Sequence, residues 1–185
     1  MCDLVKAMLD YGSKAQTAFN RTNVALANGD NDYFNYEVTE KKITDAVKAA
    51  NNGSDYSDMR YDTSSLGLTY QGTSVIYLSK VTLRHYYIIS DKSKFDTIKD
   101  TANFRYGTKD KYIYFEKTDI PAPEFDDLQE FSIGGRKYLF SVLDYVSAAM
   151  KNVNISDKEK ELVKASYRYN AAANEYFKPP KEAAD

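Results

Sequence analysis

The spacing of apolar residues divides the chain into a helical beginning, a β-rich middle and a helical end. Leu4 to Phe19 reads LVKAMLDYGSKAQTAF, and Leu162 to Phe177 reads LVKASYRYNAAANEYF. The two segments share Leu4/Leu162, Val5/Val163, Lys6/Lys164, Ala7/Ala165, Tyr11/Tyr169, Ala15/Ala173 and Phe19/Phe177. In each, the positions 0, +4, +7, +11 and +15 trace one helical stripe. That stripe is Leu4, Met8, Tyr11, Ala15, Phe19 in the first copy and Leu162, Ser166, Tyr169, Ala173, Phe177 in the second. Small residues at its centre let two such helices approach closely. The expectation is a pair of matched terminal helices bracketing the middle.

After the first helix, residues 20–36 (NRTNVALANGDNDYFNY) are rich in Asn, Asp and Gly, which bond to nearby backbone and favour turns. A short amphipathic helix follows Thr39, with Ile43 and Val47 one turn apart and Asn51-Asn52-Gly53 as its stop. Residues 51–65 read as a second polar loop. The period then changes to that of strands. LGLTYQ, SVIYLSK, TLRHYYIIS, KYIYFEKT, LQEFSI and RKYLFS are short, β-branched or aromatic, and separated by turn residues. Gly134-Gly135 marks a hairpin, since adjacent glycines accept the positive φ of tight turns. Pro121 and Pro123 mark an edge or a crossover between sheets.

The helical period returns over Ser141–Met150, and Ser156 with Glu159 forms a capping box ahead of the last helix, which Pro179-Pro180 ends. The fold class expected is α+β: a small antiparallel β-sandwich, of which the immunoglobulin type is one version, braced by N- and C-terminal helices. The chain reads as a single domain over 1–185. It comprises a helix over 3–20, polar loops and a short helix over 21–65, a β-rich core over 66–141, helices over 142–178 and a tail over 179–185.

Composition changes this picture little. A chain of 185 residues with 43% hydrophobic and 28% charged residues can bury a real core. No apolar run reaches the roughly 20 residues of a membrane-spanning helix. A net charge of −2 argues against a general nucleic-acid binder. Cys2 alone cannot close an intrachain disulfide, which does not decide the compartment. The opening MCDLVKAMLDYG lacks the basic and apolar regions of a signal peptide and reads as an excised piece of a longer protein.

Catalytic chemistry has few carriers. His85 is the single histidine, lies in an alternating strand, and reads as a structural or surface residue. No Walker or dinucleotide glycine pattern occurs. Transition metals lack clustered His and Cys, so no cofactor is expected. Calcium is the one ion with candidates: Asp30, Asp32 and Glu37 in one loop and Asp55, Asp58 and Asp62 in the other, neither matching an EF-hand. The chain is not expected to be an enzyme.

Tyrosine carries the positive hypothesis. There are 17, with no Trp. A sugar ring offers an apolar C–H face and a hydroxyl rim, met by an aromatic plane flanked by polar side chains. The loops supply Tyr33, Tyr36, Tyr56 and Tyr61 with Asp58 and Arg60, and these are the candidate ligand-binding residues; Asn31, Asn35 and Asp55 lie nearby. Tyr112 and Tyr114 also share one strand face. The competing expectation is that these tyrosines cover the rim of a core.

The terminal helices together with SIGGRKYLFSVLDYVSAAM resemble an accessory module of large secreted proteins of clostridial and Ruminococcus-like gut and rumen bacteria. Such proteins bear dockerins, carbohydrate-binding modules or cell-wall sorting signals. The resemblance spans nearly the whole chain and is weakest over residues 28–62. It implies an extracellular or cell-surface, non-catalytic module of a cellulosome-like or amylosome-like protein, with plant polysaccharide or starch and neighbouring modules as partners. It supplies no catalytic residues. The alternative is a structural or protein-interaction spacer without its own ligand.

Overall fold

A computed structural model of the protein describes residues 3–21, 37–50, 63–77, 80–101, 105–106 and 112–178. The chain is α+β. Its elements are α1 (Asp3–Ala18), α2 (Glu40–Ala50), β1 (Leu68–Ile76), β2 (Val81–Ile89), α3 (Lys92–Ile98), β3 (Arg105–Tyr106), β4 (Tyr112–Ile120), β5 (Gln129–Ile133), β6 (Arg136–Phe140), α4 (Val142–Lys151) and α5 (Asp157–Phe177). β1, β2 and β4 form an antiparallel sheet in that order, with two-residue β3 beside β4. β5 and β6 form a separate antiparallel hairpin.

Alternation explains how the two sheets meet. Leu83, His85 and Tyr87 on β2, with Ile113 and Phe115 on β4, are buried on one face, while the residues between them are half-buried or exposed. The hairpin packs on that buried face: the His85 ring meets Phe131 and Phe140 edge-on at 4.8 and 5.0 Å. Phe115 stacks on Tyr87 at 5.5 Å and also meets Phe131. Between the sheets the chain crosses over through Pro121 and a 3₁₀ turn, Ala122–Glu124.

The Gly134-Gly135 turn has φ of 56° and 77°, as the hairpin requires. Gly134 has a second duty. A Cβ there would lie 2.9 Å from Ile98 and 3.0 Å from Leu66, so only glycine lets the hairpin tip dock beneath α3. Its N–H donates to Thr101 Oγ1 at 2.8 Å.

Three sequence expectations change. LGLTYQ and SVIYLSK are not two strands: β1 runs through Gly72, where the ladder shifts register in a bulge (φ 148°) instead of turning. SDKSKFDTIKD contains a helix, α3, capped by Asp91 accepting from the Ser93 and Lys94 amides and anchored by Phe95 and Ile98. The apolar run there is too short for periodicity to separate it from a loop. The stripe on α1 is also rotated: Ala7, Asp10 and Ser13 are buried, while Met8 and Phe19 are exposed, as is Phe177 on α5.

The terminal helices do pack together, and through matched positions. Asp10 and Arg168 are equivalent in the repeat and form a buried ion pair, Nε to Oδ2, at 2.8 Å. Tyr11 and Tyr169, also equivalent, have ring centroids 5.3 Å apart. α5 further packs on α4, α4 on α2, and α4 touches β1. Both α4 and α5 begin with full capping boxes, Ser141/Asp144 and Ser156/Glu159. Hydrogen bonds from Asn170 to the Ala122 carbonyl and Asp126, and from Asn174 to Asp126, tie α5 to the crossover turn.

Candidate functional site

The face of the β1–β2–β4 sheet opposite the hairpin gathers aromatic and charged side chains at its centre. Register places Arg84 across from Glu116, Tyr86 across from Tyr114 and Ile88 across from Tyr112. Because strand side chains alternate, all six project to one side. Tyr112 is the most exposed, at 39%. Tyr86 and Tyr114 lie half-buried with centroids 5.8 Å apart.

Arg84 organises this face. Its Nε and Nη2 donate to Glu116 Oε2 at 3.0 and 2.7 Å. Its guanidinium carbon stands 4.4 Å from the centre of the Tyr114 ring, close enough for a cation–π contact. Desolvation opposes the Arg84 charge, but its hydrogen bonds to Glu116 and Tyr86 outweigh it and raise its pKa above the ordinary value. Ser74 Oγ on β1 lies 3.5 Å from the Tyr86 hydroxyl. The result is a cluster of aromatic rings, Tyr86 and Tyr114 tilted by 44° to each other, with one guanidinium over the Tyr114 ring.

Hollows among the described residues lie elsewhere. One, of about 260 Å³, sits between β1 and α4 and is lined by Tyr70, Thr73, Phe140, Tyr145 and Asn152 among others. Behind it runs a hydrogen-bonded chain, Tyr70 hydroxyl to Thr73 Oγ1 at 2.6 Å and Thr73 Oγ1 to His85 Nδ1 at 2.7 Å. His85 is fully buried and serves as the polar node where sheet and hairpin meet. Another hollow, of about 560 Å³, lies between the end of α1 and the end of β1, beside Phe19 and Tyr77. Tyr77 touches Tyr11 and Phe19, closing the brace against the sheet.

Of the sequence candidates, Tyr33, Tyr36, Tyr56, Tyr61, Asp58 and Arg60 lie outside the described residues, as do Asp30, Asp32, Asp55 and Asp62. Glu37 is exposed ahead of α2. Among the described residues no group of three or more His, Cys, Asp or Glu side chains is placed to hold a metal ion, and no helix is long and apolar enough to cross a membrane. Tyr112 and Tyr114 do share a face. Sequence reasoning missed the Arg84–Glu116 pair and Tyr86, because nothing in a strand pattern reveals which neighbour strand stands opposite. Comparison with family models, with curated proteins and with solved structures found no match to the chain.

Proposed function

We propose that the protein is a non-catalytic glycan-binding module, and that the tyrosine-bearing sheet face is its principal contact. The observation that carries the reading is the placement of Tyr86, Tyr112 and Tyr114 on one sheet face, with the Tyr86 and Tyr114 rings tilted by 44° to each other and Arg84 over the Tyr114 ring. An aromatic ring meets the C–H face of a pyranose, and hydroxyl and guanidinium groups meet its hydroxyls. The loop residues Tyr33, Tyr36, Tyr56, Tyr61, Asp58 and Arg60 belong to the same proposal through their chemistry. The resemblance of the terminal helices to modules of secreted gut and rumen bacterial proteins supports an extracellular or cell-surface setting within a larger polypeptide. We also read the hairpin facing the sheet as a reduced antiparallel sandwich; an immunoglobulin-type version would need further strands on the hairpin side.

Binding through one such face is weak, because association costs several kcal/mol before contacts contribute, and neighbouring modules supply avidity. Affinity electrophoresis against starch, xylan, β-glucan, mannan and pectin tests the reading. Retardation in at least one gel is expected, reduced by Tyr112→Ala or by Tyr56→Ala and Tyr61→Ala, whereas Tyr169→Ala lowers the melting temperature instead. A folded protein retarded by none of them overturns it.

A spacer or protein-interaction module is the second reading. Its support is the outer side of α1, where Val5 and Met8 are exposed on the face opposite buried Asp10. Tyr176 and Phe177 are exposed at the end of α5.

A further inference from the structure

We propose that the sheet face selects neutral, extended, β-linked glycans over coiled α-glucans and over polyuronates, an inference that rests on the glycan-binding reading above. Charge supplies the first argument. The cation at the centre of the face, Arg84, is bonded twice to Glu116, whose side chain is only 10% exposed. A polyanion would have to draw Arg84 away and leave that carboxylate desolvated without its cation. A neutral chain uses the remaining N–H groups with the pair intact.

Shape supplies the second argument. Tyr86 and Tyr114 are a direct cross-strand pair, and Tyr112 follows Tyr114 on the same face of β4. Adjacent strands lie about 4.8 Å apart, and same-face residues along a strand are about 6.7 Å apart. The rings and the guanidinium therefore spread along the sheet over a length that spans more than one pyranose. A β-1,4-linked chain is a flat ribbon whose successive rings present parallel faces, and it can lie along that length. An α-1,4-linked chain coils, turning successive faces away, and needs a concave wall to follow it.

The test is affinity electrophoresis of the whole chain in hydroxyethylcellulose, glucomannan, amylopectin and polygalacturonate, with circular dichroism verifying that each variant is folded. Wild type is retarded by the first two and not by the last two. Tyr112→Ala weakens that retardation about tenfold, a loss suited to one exposed aromatic contact, while Tyr112→Phe retains it. Glu116→Gln, which releases the Arg84 charge, brings measurable retardation in polygalacturonate. Retardation of wild type by amylopectin or polygalacturonate as strong as by hydroxyethylcellulose overturns the selectivity and leaves glycan binding standing. Retardation insensitive to Tyr112→Ala overturns the placement on this face. Absence of retardation in all four overturns this inference; retardation of the same sample by dextran, a neutral α-linked polysaccharide, then separates its failure from that of glycan binding itself.

Discussion

Removing the Asp10 carboxylate is the most severe single change the brace can suffer. Asp10 and Arg168 have side-chain exposures of 3% and 10%, and their contact distance is 2.8 Å. Asp10→Ala leaves the Arg168 guanidinium in the α1–α5 interface without the carboxylate that offsets its desolvation. Breaking a buried pair in this way costs about 3–5 kcal/mol. For a domain of this size each kcal/mol lowers the melting temperature by roughly 2–4 °C, so a fall of about 6–20 °C is expected. Asp10→Leu combined with Arg168→Met replaces the pair with apolar groups and should return within about 1 kcal/mol of wild type. Urea unfolding followed by circular dichroism, arranged as a double-mutant cycle, measures the coupling. A single-variant cost below about 1 kcal/mol, the range of exposed pairs, would refute the claim that this pair is buried and structural. So would two single costs that simply add in the double variant.

Three further outcomes are expected. Gly67 has φ of 72°, and a Cβ there would stand 2.3 Å from the Asp91 carbonyl oxygen; Gly67→Ala should cost more than about 2 kcal/mol, whereas Gly135→Ala, with nothing near, should cost about 1 kcal/mol, both read from denaturant midpoints. Burial raises the pKa of Tyr11 and of Tyr77 well above the usual phenol value, with nearby tyrosines adding to it. The stability they contribute is therefore fully present below the unfolded value of about 10 and lost as pH rises above it; Tyr77→Phe should flatten the alkaline fall in melting temperature. The Ser156 hydroxyl caps α5 by accepting from the Glu159 amide, and Ser156→Ala should cost about 1 kcal/mol at neutral pH; hydrogen bonds from Ser156 hold Glu159 below the usual carboxylate range, so the cost should be smaller in acid, where Glu159 is protonated in wild type too.

Legibility followed the range of the interaction. Short-range chemistry was readable: the Gly134-Gly135 hairpin, the proline crossover, the Ser156/Glu159 capping box and the two terminal helices all depend on residues within a turn or two of one another. The Asp10–Arg168 pairing was not read from the repeat, although opposite charges stand there at matched positions of otherwise similar helices. Helical periodicity chose the wrong stripe on α1 because it counts Met8 and Phe19 as apolar and Asp10 as polar; a buried ion pair reverses that bookkeeping. α3 escaped because seven residues with two anchors, Phe95 and Ile98, carry little period. β1 was cut at Gly72 because a bulge and a turn ask for the same residue. On the sheet face, Tyr112 and Tyr114 were visible through strand alternation. Tyr86, Arg84 and Glu116 joined them only through long-range register, which a single sequence does not encode locally.

The central claim is that ligand contact lies on the tyrosine-bearing sheet face and leaves the helical brace untouched. Ring-labelled tyrosine NMR during titration with a soluble β-1,4-linked oligosaccharide tests it most directly. Assignments come from single Tyr→Phe variants. The account predicts shifts confined to Tyr86, Tyr112 and Tyr114, with or without the loop tyrosines, while Tyr11 and Tyr169 stay fixed. Shifts at Tyr11 and Tyr169 with the sheet-face rings unmoved would contradict it.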